Sequence, residues 1–441
     1  MNQPAAAHLP TRPMGVIESY RVARRNVLEI IPEAALHEPV IAGKTGPQRW
    51  LMVMEPEAIR RILLEAVTAY PKSEATKSIL RPAIGNSMFI AEGETWRWQR
   101  RAAAPAFAAR HLDPLRAVMQ AAADATCSRI APSVGNRAVN VHSEMVQTTL
   151  EIIADVTFGT ADVVDPDGVV QSMDTYIDQA ARISLLDVIG VPGWVPRPGR
   201  SGAASALSEM QAAADAAIAR RAKEGPRAVP DLLDLMKGAQ ETNTGRQLNR
   251  EELRENLLTF IAAGHETTAV TLAWALYLLA NHPETQDRAA AEALATNTAS
   301  LEDNTYLTRV IEETLRLYPP GGLLSRTALE DDELAGAKVR PGDTVMIPVY
   351  ALHRHRRIWH DADAFDPDRF ETRPRRYTYL PFSDGPRICI GARFAMQEAV
   401  VVLRTLLRRF RFEPVRGVHP RPVMILSLRP EGGVWLNATR R

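Results

Sequence analysis

Cysteine is nearly absent: Cys127 and Cys389 are the only two in 441 residues. That excludes a disulfide framework, and there is no cysteine cluster to hold an iron–sulfur centre. Neither sign of charge dominates, with 53 Lys and Arg against 52 Asp and Glu. No global field therefore favours nucleic acid or a membrane surface. Long hydrophobic runs are missing too. The most apolar stretch, residues 269–280, is too short to span a bilayer. The first fourteen residues are polar and contain proline, so they read as neither a signal peptide nor an anchor, and the expected location is the cytoplasm. There is no internal repeat, low-complexity tract or Ser/Gly-rich linker. The composition, 46% hydrophobic and 24% charged, is that of a globular protein. The reading is a single domain over residues 1–441, with residues 1–20 as an N-terminal arm.

What is present is mostly helical periodicity. Residues 39–54 alternate weakly around Gly43 and Gly46 and predict a small hairpin. Pro56 opens a helix over 57–66 from the favoured first-turn position. Residues 70–92, with Pro71, Pro82 and Gly85, read as a loop with short helical turns. A helix starts at Gly93, and further helices are expected over 114–130, 141–158, 169–191 and 203–223. A Pro/Gly-rich loop over 191–202 joins the last two, which could together form a lid. Cys127 falls in the second of these helical patterns as a plain buried thiol. Residues 339–349 read as a hairpin around Pro341-Gly342-Asp343.

Cys389 sits in Phe382-Ser-Asp-Gly-Pro-Arg-Ile-Cys-Ile-Gly391. A glycine-bearing turn can lift a sulfur out of the backbone, and the helix expected from Ala392 favours its negative charge. Gly391 would admit a large flat ligand close to the backbone, and Arg387 could pair with an anionic group on it. Two readings stand: a thiolate that holds a metal from one side, or a buried structural cysteine.

A second unusual stretch lies inside the longest helix. Asn249 and Glu252 form a capping-box pattern, and the helix is expected to run to Asn281, about 48 Å. Its centre is Ala262-Ala-Gly-His-Glu-Thr-Thr268. Glycine there costs about 1 kcal/mol, a buried Glu is expensive without partners, and a Thr hydroxyl can open the backbone ladder. Either this is a tolerated irregularity with Glu266 reaching solvent, or the helix leaves space and presents a hydroxyl and a carboxylate to a ligand. Trp96 and Arg100, four residues apart, share a helix face. They form either an anion clamp or an ordinary amphipathic surface with a packed indole.

The order Phe-x-x-Gly-x-Arg-x-Cys-x-Gly resembles the haem-binding loop of the cytochrome P450 family, and Ala-Gly-x-Glu-Thr-Thr resembles that family's oxygen-binding groove. The likeness covers roughly residues 35–430. It implies a mainly α fold with a small β module and a long central helix crossing the haem pocket. It makes Cys389 the axial ligand of haem b iron, with Phe382 packed beside the sulfur and Gly391 and Arg387 in the cofactor site. Trp96 and Arg100 match the Trp-x-x-x-Arg that holds a haem propionate, and Arg326 matches a second propionate position. Thr267 would meet dioxygen and Glu266 would relay protons. Glu313-x-x-Arg316 resembles the family's Glu-x-x-Arg, and Arg369, in Asp366-Pro-Asp-Arg-Phe370, joins it in a structural network, with Asp368 where the family has Glu.

The implied activity is monooxygenation of a small, largely apolar molecule with O2, using NAD(P)H-derived electrons from a separate ferredoxin-type carrier and reductase. A peroxide-driven peroxygenase and a non-catalytic haem sensor are the alternatives. Residues 79–90, 176–189, 321–324 and 424–426 are expected to line the substrate pocket. Arg97, Arg101, Arg404, Arg408 and Arg409 form either a docking patch for an acidic carrier or a solvated face. His353, His355 and His360 are interleaved with Arg354, Arg356 and Arg357, which would repel a cation. They read as packed or loop histidines, and His265 as a helix side chain without a ligand role.

Overall fold

The computed structural model describes residues 3–158, 204–240, 245–295 and 305–441, together with Ser172 and Thr175. The expected helix over 169–191, the loop over 191–202, the lid they would form and the pocket segment 176–189 lie outside the described residues.

The fold is organised on the helix Arg250–Asn281, 32 residues long. Its start is set locally. Asn249 accepts from the Glu252 backbone N–H while the Glu252 carboxylate accepts from that of Asn249, closing both halves of the capping box. From Thr268 to Ala280 every side chain is buried, so this half has no solvent face and must be packed all round. Trp274 stacks on Tyr318 with ring centroids 3.9 Å apart, and its indole N–H donates to the Leu428 carbonyl at 3.0 Å. The helix Val141–Phe158 packs across the other side, where Thr149 Oγ1 donates to the His265 carbonyl at 2.8 Å. A Cβ at Gly264 would lie 3.1 Å from Ile153 Cδ1. That glycine therefore serves the helix crossing as well as the space beside it. The ladder is not opened as the threonines suggested. The helix is continuous, and Thr267 Oγ1 donates to the Ala263 carbonyl one turn back at 2.6 Å.

The β structure is small and peripheral. Strands β1 (Val40–Thr45) and β2 (Gln48–Val53) form the expected hairpin. Strand β3 (Val139–Asn140) belongs elsewhere, while β4 (Leu324–Thr327), β5 (Asp332–Leu334), β6 (Ala337–Val339) and β7 (Thr344–Ile347) follow the helix Tyr306–Leu317. The main sheet has the order β1-β2-β7-β4, with β2 and β7 parallel. The hairpin expected over 339–349 does not form. The turn at Gly342, φ +88°, separates β6, which pairs with β5, from β7, which is captured between β2 and β4. Long-range pairing outweighs the local turn. At the C-terminus come β8 (Phe410–Pro414), β9 (Arg421–Met424), β10 (Leu428–Glu431) and β11 (Trp435–Arg440). Strands β3, β11 and β8 form one sheet, and β9 and β10 a hairpin.

One continuous cluster of buried apolar side chains runs from Leu9 to Ala438. The N-terminal arm is tied to it, because Tyr318 Oη donates to the Ala5 carbonyl and the Ala7 N–H donates to Tyr350 Oη. The region 70–92 holds more helix than its prolines suggested. Ser73 caps an 11-residue helix, Glu74–Ile84, that continues past Pro82 and ends at Gly85. Its buried face, Ile79, Ala83 and Ile84, supplies the packing that offsets the missing backbone donor. Among the described residues no helix is long and apolar enough to cross a membrane.

Candidate functional site

A cavity of about 1400 Å³ lies between the long helix and the loop that precedes the helix Ala392–Arg409. This exceeds the several hundred Å³ usual for one small ligand and suits a large cofactor together with a substrate. Trp96, Arg100, Glu266, Thr267, Arg326, Phe382, Arg387, Cys389 and Gly391 all line it, so sequence positions almost three hundred residues apart converge.

The cysteine loop is held by its backbone. The Cys389 N–H donates to the Phe382 carbonyl at 2.9 Å, closing a turn in which Ser383 and Gly385 both have positive φ. A Cβ on Gly385 would lie 2.0 Å from the Leu63 carbonyl oxygen, so only glycine lets this turn seat against residues 61–65. Asp384 anchors the turn from outside by two hydrogen bonds from Arg376, at 2.7 and 3.1 Å. Cys389 is thereby left open to the cavity. Burial pushes its thiol pKa up, opposed by the Gly391 N–H and by the charges of Arg100 and Lys72. At Gly391 a Cβ would meet only Phe107, at 3.8 Å, so the cavity side of the loop is clear.

The same loop is fixed from behind by a buried network. Glu313 and Arg316 are both wholly buried, and Arg316 donates to both Glu313 oxygens at 2.6 and 2.7 Å. Its remaining donors reach the carbonyls of His353, Ala362 and Ala364, so all five are used. Arg369 joins through Nε, 3.5 Å from Glu313. Asp368 does not: it pairs at the surface with Arg288 and Arg309. His353 extends the network, accepting from the Leu380 N–H at 2.7 Å, two residues before Phe382. Burial drives its pKa down to about 3, which keeps that acceptor free. His355 contacts the Glu38 carbonyl, His360 is exposed, and His265 bonds the Ile261 carbonyl. Among the described residues no group of side chains could hold a bare metal ion.

The remaining wall is rich in cations. Arg100, Arg326, Arg387 and Lys72 all line the cavity, and burial lowers the pKa of each. Arg326 falls to about 10, with Arg387 adding repulsion, and Lys72 is lowered further by Arg326 and Arg387. Glu92 is the one carboxylate that both Lys72 and Arg387 feel. Arg387 donates to Glu92 and to the Ala91 carbonyl and lies over the Trp96 ring, while its Nη1 has no partner among the described residues. Buried cations crowded together call for an anion between them, which the two propionates of haem b would supply. Lys72 and Glu92 were missed from the sequence because neither belongs to a local motif. Lys72 reaches the site through a β-bridge to Arg326.

The long helix presents Thr267 and Glu266 to the same cavity. Glu266 pairs with Arg429 at 3.4 Å. Glu398, wholly enclosed beneath Thr268, has a pKa raised to about 8 by burial, opposed by its hydrogen bond with Thr268. Its folded pKa lies above the unfolded value, so the folded state holds the extra proton from about pH 4.5 to 8. Stability should fall as pH rises through that window, at up to about 1.4 kcal/mol per unit. Urea unfolding of Glu398→Gln should lose this slope; an identical slope would assign it to another group.

The apolar wall comes from three of the expected segments. Ile79, Leu80, Ile84, Met88 and Phe89, then Leu323 and Leu324, then Met424, Ile425 and Leu426, all line the cavity. The expected arginine patch is not a single surface. Arg404 is buried, Arg408 donates to the Ala293 carbonyl, and Arg409 and Arg97 pair with Asp124 and Glu94.

A cysteine open to a cation-walled cavity that a hydroxyl and a carboxylate of the central helix also line is the arrangement a haem-thiolate oxygenase needs. Comparison with known proteins agrees: the family described as Cytochrome P450 matches residues 26–437. The chain is 33% identical to cytochrome P450 132 of Mycobacterium tuberculosis over 422 residues, 89% of this chain and 88% of that protein. It is 29% identical to cyclooctatin synthase of Streptomyces melanosporofaciens, covering 92% and 90%. With a cytokinin hydroxylase of Arabidopsis thaliana it shares 31% identity, covering 89% and 79%. The chain belongs to the cytochrome P450 family and is a haem b-dependent monooxygenase.

Proposed function

We propose that the protein inserts one atom of O2 into a small, largely apolar organic molecule by hydroxylation or epoxidation. In this reading it works in the cytoplasm as one domain, with a ferredoxin-type carrier and its reductase passing electrons from NAD(P)H. The observation that carries it is the meeting, in one cavity, of the Cys389 sulfur, the cation set, the Thr267–Glu266 pair and a mostly apolar wall. A highly charged substrate would lose more hydration there than the wall returns. Relatives named for cyclooctatin and cytokinin are in keeping with a small organic substrate.

When bound, haem supplies the oxidising chemistry. The chain's own residues do the rest. Cys389 would hold the iron through its sulfur, and Phe382 would shield that sulfur. Arg100, Arg326, Arg387 and Trp96 orient the cofactor through its carboxylates. Thr267 Oγ1 positions dioxygen, Glu266 carries protons towards it, and the apolar wall excludes bulk water. The carrier would dock where the cysteine loop nears the surface. Arg373, Arg375 and Arg376 are exposed beside that loop, and Arg376 grips it through Asp384. Reversing charge at Arg373 and Arg375 should slow haem reduction several-fold at low salt and less at high salt; a salt-independent rate equal to the unaltered protein's would move the dock elsewhere.

The test of the reaction is substrate-dependent NAD(P)H consumption with surrogate carrier and reductase, run on a panel of apolar molecules first screened by spectral binding. Oxygenated product in proportion to NAD(P)H is expected. Turnover only with added hydrogen peroxide would make the protein a peroxygenase, and binding without turnover by either route would make it a sensor.

A further inference from the structure

The hairpin β9–β10 has two ends that touch different parts of the site. Its tip, Ile425 to Ser427, lines the cavity. Two residues beyond Ser427, Arg429 meets Glu266 of the long helix. The contact is loose. Nη2 is 3.4 Å from the carboxylate, and among the described residues neither Nη2 nor Nε makes a hydrogen bond. Ser427 Oγ, between tip and arginine, is buried and also lacks a partner among the described residues. The hairpin is pinned on both sides of its tip: the Met424 N–H donates to Asn26 Oδ1 at 3.0 Å, the Leu428 carbonyl accepts from the Trp274 indole, and the Leu428 N–H donates to the Pro320 carbonyl. Arg429 is the next side chain along β10 from the Leu428 pin. Glu266 is faced by Arg429 from β10 and by His142 from the helix Val141–Phe158. Burial holds His142 down to about 4, so it is neutral and Arg429 is the cation that holds the carboxylate.

We propose that Arg429 is a positioning residue for oxygen activation: it latches Glu266 until a molecule filling the cavity presses on Ile425 and Leu426 and loosens the pair. The role of Glu266 in proton delivery rests on the reading above; the latch itself does not. The consequence is that a proton donor becomes free when the cavity is filled, which limits wasted electron use in its absence. Coupling of this kind is reciprocal. If a ligand weakens the Arg429–Glu266 contact, removing the contact must strengthen that ligand's binding by the same factor.

The test uses the haem-loaded full-length protein and 4-phenylimidazole, an apolar azole whose binding is read from the haem absorption. Arg429→Gln and Glu266→Gln should each tighten binding by about fivefold or more. The double variant should gain no more than either alone, because both remove one interaction. Arg429→Lys, which restores a cation, should return affinity towards the starting value, a rescue that mere loss of hairpin packing would not show. Unchanged or weakened binding in both single variants, or additive gains in the double, would overturn the latch. Product formed per NAD(P)H, measured separately, reports on the proton role. Full coupling in Glu266→Gln with tightened azole binding would keep the latch and remove the relay.

Discussion

Glu313→Ala should be the most damaging single change outside the cysteine loop, lowering stability by about 3–5 kcal/mol. Arg316 is wholly buried and spends two donors on the Glu313 carboxylate. Removing that carboxylate leaves a guanidinium with no countercharge at hydrogen-bond distance and no water to replace it. Arg369 Nε loses the same oxygen, as does the Asp366 N–H, which donates to it at 3.0 Å. A loss of this size is a large fraction of the whole stability of a typical domain, so the variant should also retain haem poorly. The damage would pass through the His353 carbonyl, which Arg316 holds, and the His353 ring, which holds Leu380. Chemical denaturation of the haem-loaded protein measures it. A loss below about 1 kcal/mol would mean that the pair is dispensable and that the loop is held by its own turn alone.

Thr267→Ala has the second largest expected effect, on chemistry and not on folding. Alanine is the better helix former by several tenths of a kcal/mol. Among the described residues the hydroxyl bonds the Ala263 carbonyl alone, so the helix should be unharmed. What disappears is the one hydroxyl of the Glu266-Thr267 pair. Product per NAD(P)H should fall by about tenfold or more, with hydrogen peroxide accounting for the missing electrons and NAD(P)H consumption nearly maintained. Undiminished coupling would take Thr267 out of the reaction and leave its hydroxyl as a helix feature.

The parts legible in the sequence are those fixed by neighbours in the chain. The capping box at Asn249 and Glu252, the helix Val141–Phe158 and the hairpin of β1 and β2 follow from local periodicity and turn chemistry, and they appear where expected. The turn before Cys389 was legible for the same reason, since its glycine, arginine and sulfur lie within ten residues, while the role of the sulfur came from the family resemblance. The parts that were not legible depend on contacts across the chain. Whether residues 339–349 make a hairpin is decided by β2, nearly three hundred positions away. The helix Glu74–Ile84 survives its proline because one face is buried. Lys72, Glu92, Glu398 and Arg429 carry no motif, and only the fold brings them to the cavity or its supports. Arg404 shows the opposite error, because its basic neighbourhood suggested a surface that the helix Ala392–Arg409 in fact turns inward.

The central claim is that the sulfur of Cys389 is the protein's bond to haem iron. The direct measurement is the absorption spectrum of the haem-loaded, chemically reduced protein under carbon monoxide, beside that of Cys389→Ser. The expected result is the red-shifted band of sulfur-ligated haem in the first and its loss in the second, with Cys127 still present in both. A folded, haem-loaded protein without that band, or a serine variant that keeps it, would contradict the account.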